Sequence, residues 1–294
     1  MAKYDKPLGE SGIEWTNRTW GPTTGCDKVS AGCKFCYAEP LAERLQRIDL
    51  ARADGKAGTG KYRNGFALTL HPGLVREPGT WRTSEWVFVN SMSDLLHAGI
   101  PDAFLLDVFE TMGELAPWHR YQCLTKRAER WESVTRLVVE RFGRWPRNVL
   151  PGASVENRKA RARIDQLGRA GDGDTVRMLS VEPLLESLLD DAGEEGLARQ
   201  LTANRIGWVI TGGESGDRAR EAKDQWFREV RDACSLAGVP FFHKQFGGIG
   251  HTKEAKRGGT LAALDGVLHH AMPEVWAAAA PGRTRGGQAA LFGG

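Results

Sequence analysis

Short apolar runs alternate with amphipathic stretches from about residue 86 onward. Each run is almost uniformly apolar and rich in β-branched and aromatic residues, as is typical of strands that are covered on both faces. The runs predict strands at Trp86 to Ser91, Tyr121 to Thr125, Val149 to Val155, Val176 to Val181, Gly207 to Gly212 and Val239 to Lys244. A first strand is expected around Thr19 to Thr23, which makes seven strands in series.

The stretches between these runs carry apolar residues three and four positions apart, the spacing of amphipathic helices. Helices are predicted at residues 38–48, 103–115, 128–142, 158–170, 194–203 and 224–238. Because strands and helices alternate regularly, the chain is expected to build βα units around a parallel sheet. The predicted fold is therefore α/β, a partial or full TIM-type (β/α) barrel of parallel strands.

The domain organisation predicted from this pattern is a single barrel domain over residues 1–277. Residues 54–82 are rich in glycine and polar groups and are expected to form an inserted loop region between the first helix and the second strand. Residues 278–294 are expected to be a flexible C-terminal tail, because chain ends with small and polar residues are seldom ordered.

The composition narrows the possible classes of protein. With 294 residues, 41% of them hydrophobic, the chain can bury a sizeable core. The formal net charge is only +3, from 40 basic and 37 acidic groups, so any site for a polyanion must be local. The first residues lack an apolar run, and no stretch approaches the roughly 20 apolar residues of a membrane span. We therefore expect a soluble, cytoplasmic protein without a membrane partner.

Polar and charged residues follow each of the six later predicted strands. In a barrel of this type the loops after the strands carry the chemistry, so these residues are expected to share one rim. They are Ser91, Ser93 and Asp94, then Lys126 and Arg127, then Ser154, Glu156 and Asn157, then Ser180 and Glu182, then Gly212, Gly213 and Glu214, and finally His243 and Lys244. Two alternatives remain open: Asp94 and Asn157 could cap helices, and the cations could simply neutralise the carboxylates.

Three of the five cysteines fall in the loop after the first strand, with the spacing C-x6-C-x2-C at Cys26, Cys33 and Cys36. Three thiolates without a close fourth ligand describe a metal site with one open position, which fits an iron–sulfur cluster. A zinc ion with a remote fourth ligand is the alternative. Cys123 and Cys234 stand alone in apolar segments and are expected to be small buried hydrophobes.

This loop resembles that of radical S-adenosylmethionine (SAM) enzymes, which carry three cysteines after the first strand of a partial TIM barrel and an aromatic residue before the third. Phe35 precedes Cys36 here. The resemblance implies a [4Fe-4S] cluster on Cys26, Cys33 and Cys36 and a SAM molecule bound to the open iron. Two features depart from that pattern: the first cysteine spacing is longer than usual, and Ser91 to Asp94 replace the usual Gly-Gly-Glu.

The chain also resembles, more specifically, a phage-associated family of three-cysteine radical-SAM-like proteins of unknown function. The matching stretches are IEWTNRTWGPTTGC, GCKFCYAE, NSMSDLLH, LTKRAER, GASVEN, LSVEPLLE, ITGGESG, PFFHKQFG and LDGVLHHAMPE. This resemblance implies an isomerase- or lyase-type enzyme, cytoplasmic in the host cell, that modifies a nucleobase-linked substrate such as hypermodified thymine in phage DNA. It also implies an electron donor such as flavodoxin or ferredoxin.

Roles for the rim residues follow from the same resemblance. SAM is expected to contact a set of cofactor-binding residues, namely Ser91, Ser93, Asp94, Ser154, Glu156, Asn157, Gly212, Gly213 and Glu214. Lys126, Glu182 and Lys244 are expected to be catalytic. Two other functions remain open: a radical SAM enzyme acting on a free small molecule or a peptide, and a non-catalytic protein stabilised by zinc.

Overall fold

The computed structural model describes residues 12–51, 60–248 and 262–274. Its strands are β1 (Arg18–Trp20), β2 (Thr23–Thr24), β3 (Thr69–Leu70), β4 (Trp86–Val89), β5 (Arg120–Thr125), β6 (Val149–Ser154), β7 (Arg177–Val181), β8 (Ile206–Gly212), β9 (Phe241–Gln245), β10 (Ala263–Leu264) and β11 (Val267–Leu268). Its α-helices are α1 (Ala38–Ala51), α2 (Asp102–Glu110), α3 (Trp131–Phe142), α4 (Ala162–Leu167), α5 (Gly193–Ala203) and α6 (Asp224–Ala237).

Seven of these strands form one parallel sheet in the spatial order β1-β4-β5-β6-β7-β8-β9. Each strand therefore pairs with the next sheet strand along the chain, and helices cover the outer face, as in a (β/α) barrel. The sheet is curled into a half-barrel. The predicted α/β class, the parallel sheet and the partial barrel are thus confirmed.

The first strand is shorter than predicted. It ends at Trp20, because Gly21 and Pro22 follow and proline cannot donate a ladder hydrogen bond. Thr23 and Thr24 instead form β2, which pairs antiparallel with β3 outside the main sheet. The prediction of one strand over residues 19–23 was therefore wrong at its end.

The fourth predicted helix is also shorter than expected. Over residues 158–170 the chain forms a 3-10 turn (Arg158–Ala160), the six-residue helix α4, and then a turn that begins at Gly168. The second helix ends in a π turn (Thr111–Leu115) and the third begins with a 3-10 turn (Ala128–Arg130). Periodicity located these helices but did not separate α-helical from tighter or wider turns.

The concave face of the sheet is filled at the amino ends of its strands. Trp86, Met178 and Trp208 pack there against Trp15 from the segment before β1, in one apolar cluster. Side chains alternate between the two faces of a strand, so the positions further along the same face lie at the carboxyl ends. The apolar cluster therefore fills the amino end of this face, with Gln122 as a buried polar exception that donates to the backbone oxygen of Trp15 at 3.0 Å, and the predicted polar residues gather at the carboxyl end.

Residues 262–274, which we call the edge segment, lie along the outer edge of β9. Phe242 and His270 form an antiparallel bridge. The amide of His243 donates to the oxygen of His269 at 2.7 Å, and the amide of Ala271 donates to the oxygen of Phe241 at 3.2 Å. The edge segment thus pairs with backbone groups that a terminal strand would otherwise expose.

Parts of the predicted inserted loop and the whole predicted tail, residues 54–59 and 278–294, lie outside the described residues. The described remainder of the insertion includes β3 and two 3-10 turns (Pro72–Leu74 and Glu77–Thr80) and places Val75 and Trp81 in the core. None of the described helices is long and apolar enough to cross a membrane.

Candidate functional site

Asp94 and Arg127 form a buried ion pair at the carboxyl ends of β4 and β5. Arg127 Nη1 donates to Asp94 Oδ2 at 2.9 Å, and both residues are less than 10% exposed. The same carboxylate also accepts the hydroxyl of Thr125 at 2.7 Å and the amides of Leu96 and Lys126 at 3.0 and 3.1 Å. Four donors therefore occupy a carboxylate that was expected to contact SAM.

The thiol of Cys26 lies against the same guanidinium. Arg127 Nη1 is 3.4 Å from Cys26 Sγ, and Arg127 Nη2 donates to the oxygen of Asp27 at 3.3 Å. Burial raises the pKa of Cys26, and the hydrogen bond from Arg127 opposes this shift without cancelling it. Cys33 is close enough to contribute to the shift in the pKa of Cys26, and its own sulfur lies 3.8 Å from the hydroxyl of Ser30.

The cysteine loop, residues 25–37, is fastened over the strand ends by polar contacts. In the middle of the loop, the amide of Gly32 donates to Glu156 Oε1 at 3.3 Å, and the Ala31 oxygen accepts a bond from Arg220 Nη2 at 3.1 Å. Near its start, Asp27 Oδ2 bonds His97 Nε2 at 2.9 Å. At its end, Tyr37 Oη donates to the Ser91 oxygen at 2.6 Å. Residues after β4, β6 and β8 therefore hold the loop from several sides. All three loop thiols are partly exposed.

Gly25 makes this placement of the loop possible. Its φ is +81°, a conformation that residues with a Cβ rarely adopt, and a Cβ at this position would overlap the backbone of Phe66 and Ala67. The amide of Gly25 also donates to the oxygen of Met92 at 3.1 Å, and its oxygen accepts the hydroxyl of Ser93 at 2.8 Å. Ser93 therefore positions the start of the cysteine loop.

Glu156 is fully buried beneath the cysteine loop. Arg163 Nη1 donates to its Oε2 at 2.8 Å. Burial alone would raise the pKa of Glu156, but the hydrogen bond from Ser30 and the positive charges of Arg163 and Lys126 outweigh it, so that the pKa lies below its ordinary value. Glu156 is thus a paired carboxylate that anchors the loop.

Glu214 is held in the same way after β8. Arg220 binds it through two side-chain bonds, Nη2 to Oε1 at 2.6 Å and Nε to Oε2 at 2.8 Å. The hydrogen bond to Glu214 raises the pKa of Arg220, which stays charged. Gly213 lies just before, with its amide bonded to the oxygen of Gln245 at 2.9 Å. Gly213 and Glu214 therefore join the ends of β8 and β9.

Glu182 and Lys244 form the more open ion pair of the rim. Lys244 Nζ is 3.1 Å from Glu182 Oε1; the side chain of Lys244 is 34% exposed and that of Glu182 is 16% exposed. The hydroxyl of Ser180 donates to Glu182 at 3.3 Å. A Cβ on Gly212 would overlap the Glu182 carboxylate, so the described position of this carboxylate requires a glycine at residue 212. A carboxylate beside an ammonium, both reachable from solvent, can accept and donate protons.

The remaining predicted site residues have mixed placements. The side chain of Asn157 accepts the amide of Ala160 at 3.0 Å and caps a 3-10 turn, as its alternative interpretation held. The backbone oxygen of Ser154 accepts a bond from Arg163 at 2.8 Å. Lys126 contributes its positive charge to the surroundings of Glu156. The structure thus brings the cysteine loop and the predicted rim residues together at one end of the sheet.

Sequence reasoning missed the partners that fix this site, chiefly Arg163, Arg220 and His97. Arg163 and Arg220 follow their carboxylates by seven and six positions, Arg163 on helix α4 and Arg220 in the loop before helix α6. That recurrence, a carboxylate at a strand end and an arginine shortly after it, was the available signal. His97 carries no comparable signal, because its partner Asp27 is distant in sequence.

The comparisons correct one expectation. Residues 10–273 match the model of a family described as "Protein of unknown function (DUF5131)", and no radical SAM family matches. Moreover, residues 12–51, 60–248 and 262–274 contain no group of three His, Cys, Asp or Glu side chains placed to hold a metal ion. Identification with the radical SAM superfamily, or with its phage-associated three-cysteine family, was therefore wrong.

A search of curated proteins finds no match to this chain. The family match covers most of the sequence, from before β1 to the end of the edge segment, and so includes both the half-barrel and the cysteine loop. The chain belongs to the DUF5131 family, a family of proteins of unknown function.

Proposed function

We propose that this protein is an enzyme that works at the rim beneath the cysteine loop, and that Cys26, Cys33 and Cys36 are the ligands of an iron–sulfur cluster. Membership of the radical SAM superfamily is not part of this proposal. The observation that carries it is the contrast between two sets of cysteines. Three thiols sit partly exposed on one anchored loop above a polar rim, whereas Cys123 and Cys234 are buried in the core.

The three thiols have the chemistry that a cluster needs, but in the described conformation they are not placed around a common centre. Soft thiolates are the preferred ligands of iron–sulfur clusters, and three of them leave one iron open. In the described conformation Cys26 bonds Arg127 and Cys33 contacts Ser30, so cluster binding requires these thiols to turn toward a common centre. A bound cluster supplies one-electron chemistry, while the protein supplies binding, orientation and exclusion of water.

The proton chemistry of the proposed reaction falls to Glu182 and Lys244. Asp94, Glu156 and Glu214 each bond an arginine and also accept backbone amides, which leaves them little capacity for a substrate. Glu182 and Lys244 share a single contact and are partly open to solvent. S-adenosylmethionine as a second ligand and a nucleobase-linked substrate stay predictions, and the test below needs neither.

The test is the metal content of protein purified and reconstituted without oxygen, supplied with iron and sulfide. The expected result is about four irons and matching sulfide per chain, with a brown colour. Cys33→Ala should abolish the cluster, and Cys234→Ala, which changes a buried thiol, should keep it. A colourless chain that binds one zinc ion would support the non-catalytic alternative, and a chain that binds no metal would overturn the proposal outright.

A further inference from the structure

Two histidines face each other where the edge segment meets β9. Phe242 and His270 are paired residues of an antiparallel bridge, so His243 and His269 are the next pair along it. Directly opposed residues of an antiparallel pair have Cβ atoms about 5 Å apart. In both imidazoles the Nε2 atom is buried and has no hydrogen-bond partner among the described residues. This cross-strand pair is built from neutral rings.

Among the described residues, no carboxylate contributes to the pKa of His243. The rings of Phe227 and Phe246 lie 4.7 and 4.6 Å from its ring centroid, and its Nδ1 is 3.0 Å from the hydroxyl of Thr211. His269 packs edge-on against Phe241 at 5.4 Å. A proton on His243 would therefore leave a buried N–H group at Nε2 that has no acceptor among the described residues, on a ring that carries a charge.

The charged groups around the pair do not change this conclusion. Burial, together with the nearby His269 and His270, lowers the pKa of His243 to about 4. Burial likewise lowers the pKa of His269; Arg231 adds to the shift, whereas a hydrogen bond to the Leu264 backbone and the charge of Asp265 oppose it without cancelling it. Arg231 and Asp265 are themselves ion-paired, so the carboxylate is already engaged.

Protonation of His243 or His269 changes the balance between the closed and open states of the whole edge segment. The segment is held by two backbone bonds to β9, by the stacked rings of His270 and Phe242 at 4.5 Å, and by the bond of Trp208 Nε1 to the Ala271 oxygen at 3.0 Å. A local opening that exposes His243 to water would restore its ordinary affinity for protons. Acid therefore favours the open state of this region over the closed one.

We infer that the edge segment is an acid-sensitive closure, which the His243–His269 pair holds shut near neutral pH and releases as the pH falls. The strand that loses its partner, β9, carries Lys244 at the rim. Release would therefore loosen one half of the Glu182–Lys244 pair and lower activity in acid. The inference about release concerns the edge segment alone and does not depend on the metal proposed for the cysteine loop.

The expected size of the effect follows from proton linkage. Between the ordinary histidine pKa of 6.5 and the value of about 4 in the closed state, the open state binds more protons. The ratio of closed to open molecules then falls by up to tenfold for each unit of pH. From pH 6.5 to pH 5 we expect a loss of about fifteenfold in that ratio from His243, because at pH 6.5 half of the open molecules already carry the proton.

Hydrogen exchange measured by mass spectrometry, corrected for the intrinsic pH dependence of exchange, tests the inference on the full chain. Protection of residues 262–274 and of β9 should fall by about fifteenfold over this pH range, while β4, β5 and β6 stay protected. His243→Gln should remove the pH dependence, and His71→Gln, a control in a distant loop, should not. His269→Gln, at a less buried site, serves if the first variant does not fold.

Three results would overturn the inference. One is an edge segment whose protection is independent of pH in the wild-type chain. Another is an unchanged pH dependence in both His243→Gln and His269→Gln. The third is simultaneous loss of protection in all strands, which would show that acid unfolds the whole domain instead of releasing one segment.

Discussion

Arg127 bonds Asp94 and Cys26 through the same nitrogen atom, so one guanidinium joins a buried carboxylate to the cysteine loop. The pair is buried, and the loss of one partner leaves the other charged and uncompensated. Asp94 is in turn fixed by backbone amides after β4 and β5. The position of the first loop thiol therefore depends on a bond network that begins in the sheet.

We expect Arg127→Gln to lower the free energy of unfolding by about 3–5 kcal/mol, because Asp94 would keep a buried charge without its partner. Urea denaturation measures the change. Arg169→Gln, which breaks an exposed ion pair with Glu132, is the control and should cost at most about 1 kcal/mol. In the double variant Arg127→Gln with Asp94→Asn the cost should be smaller than the sum of the single costs, and strict additivity would contradict the coupling.

Gly25→Ala should destabilise the protein more than Gly143→Ala does. Both glycines have positive φ, +81° and +76°, so each alanine carries a backbone cost of about 1–2 kcal/mol. Only at Gly25 would the added Cβ also overlap backbone atoms, whereas Gly143 has open space around it. The added overlap should cost about 1–3 kcal/mol more in urea denaturation. Equal costs for the two variants would show that the loop moves aside freely.

The native chain, free of metal, should react with a maleimide at three cysteines. Cys123 and Cys234 are fully buried, and burial raises the pKa of both thiols far above the ordinary value, so both should react only after unfolding. Among the loop thiols, Cys26 should react last, because burial also raises its pKa and Arg127 contacts its sulfur. Peptide mass spectrometry identifies the labelled sites. Labelling of Cys234 at the rate of Cys33 would contradict the packing.

Arg220→Gln should loosen the cysteine loop while the sheet keeps its protection. The variant loses the hydrogen bond to the Ala31 oxygen and both side-chain hydrogen bonds to Glu214. A charged hydrogen bond contributes roughly 1.5–3 kcal/mol, so hydrogen exchange at residues 30–36 should accelerate at least about tenfold. Arg228→Gln, which breaks an ion pair with Asp265, is the matched control and should leave the loop unchanged.

The double variant Arg220→Gln with Glu214→Gln separates the loop contact from the cost of an unpaired buried carboxylate. It should still show a faster-exchanging cysteine loop, because the bond to Ala31 is lost in both variants. Wild-type exchange in the double variant would mean that the loop is held by its other contacts alone.

Much of the fold could be predicted because its main signal is local. Six apolar runs located β4 to β9 to within about two residues, since strands buried on both faces are apolar throughout. The end of an element can depend on a single residue, such as Pro22 after β1. Whether a helix end forms an α-helical or a 3-10 turn depends on tertiary contacts, and the spacing of apolar residues carries no information about those contacts.

The candidate site could be predicted in location but less well in its pairings. The prediction that Cys123 and Cys234 are buried is confirmed, and Lys244 does pair with Glu182. The partners of Glu156 and Glu214 are arginines from helix α4 and from the loop before helix α6, because the chain after each strand folds back over its own strand end. Asp94 was interpreted as a ligand-binding group or a helix cap, yet the structure uses it to hold Arg127.

The edge segment has a consequence for the behaviour of the protein at high concentration. An uncovered terminal strand of a sheet offers a row of unsatisfied amide and carbonyl groups that can template pairing with another molecule. Residues 269–271 supply those partners within the chain. A chain cut short before this segment would keep its helices and most of its sheet but would expose the edge of β9. Its first change in behaviour would therefore be self-association.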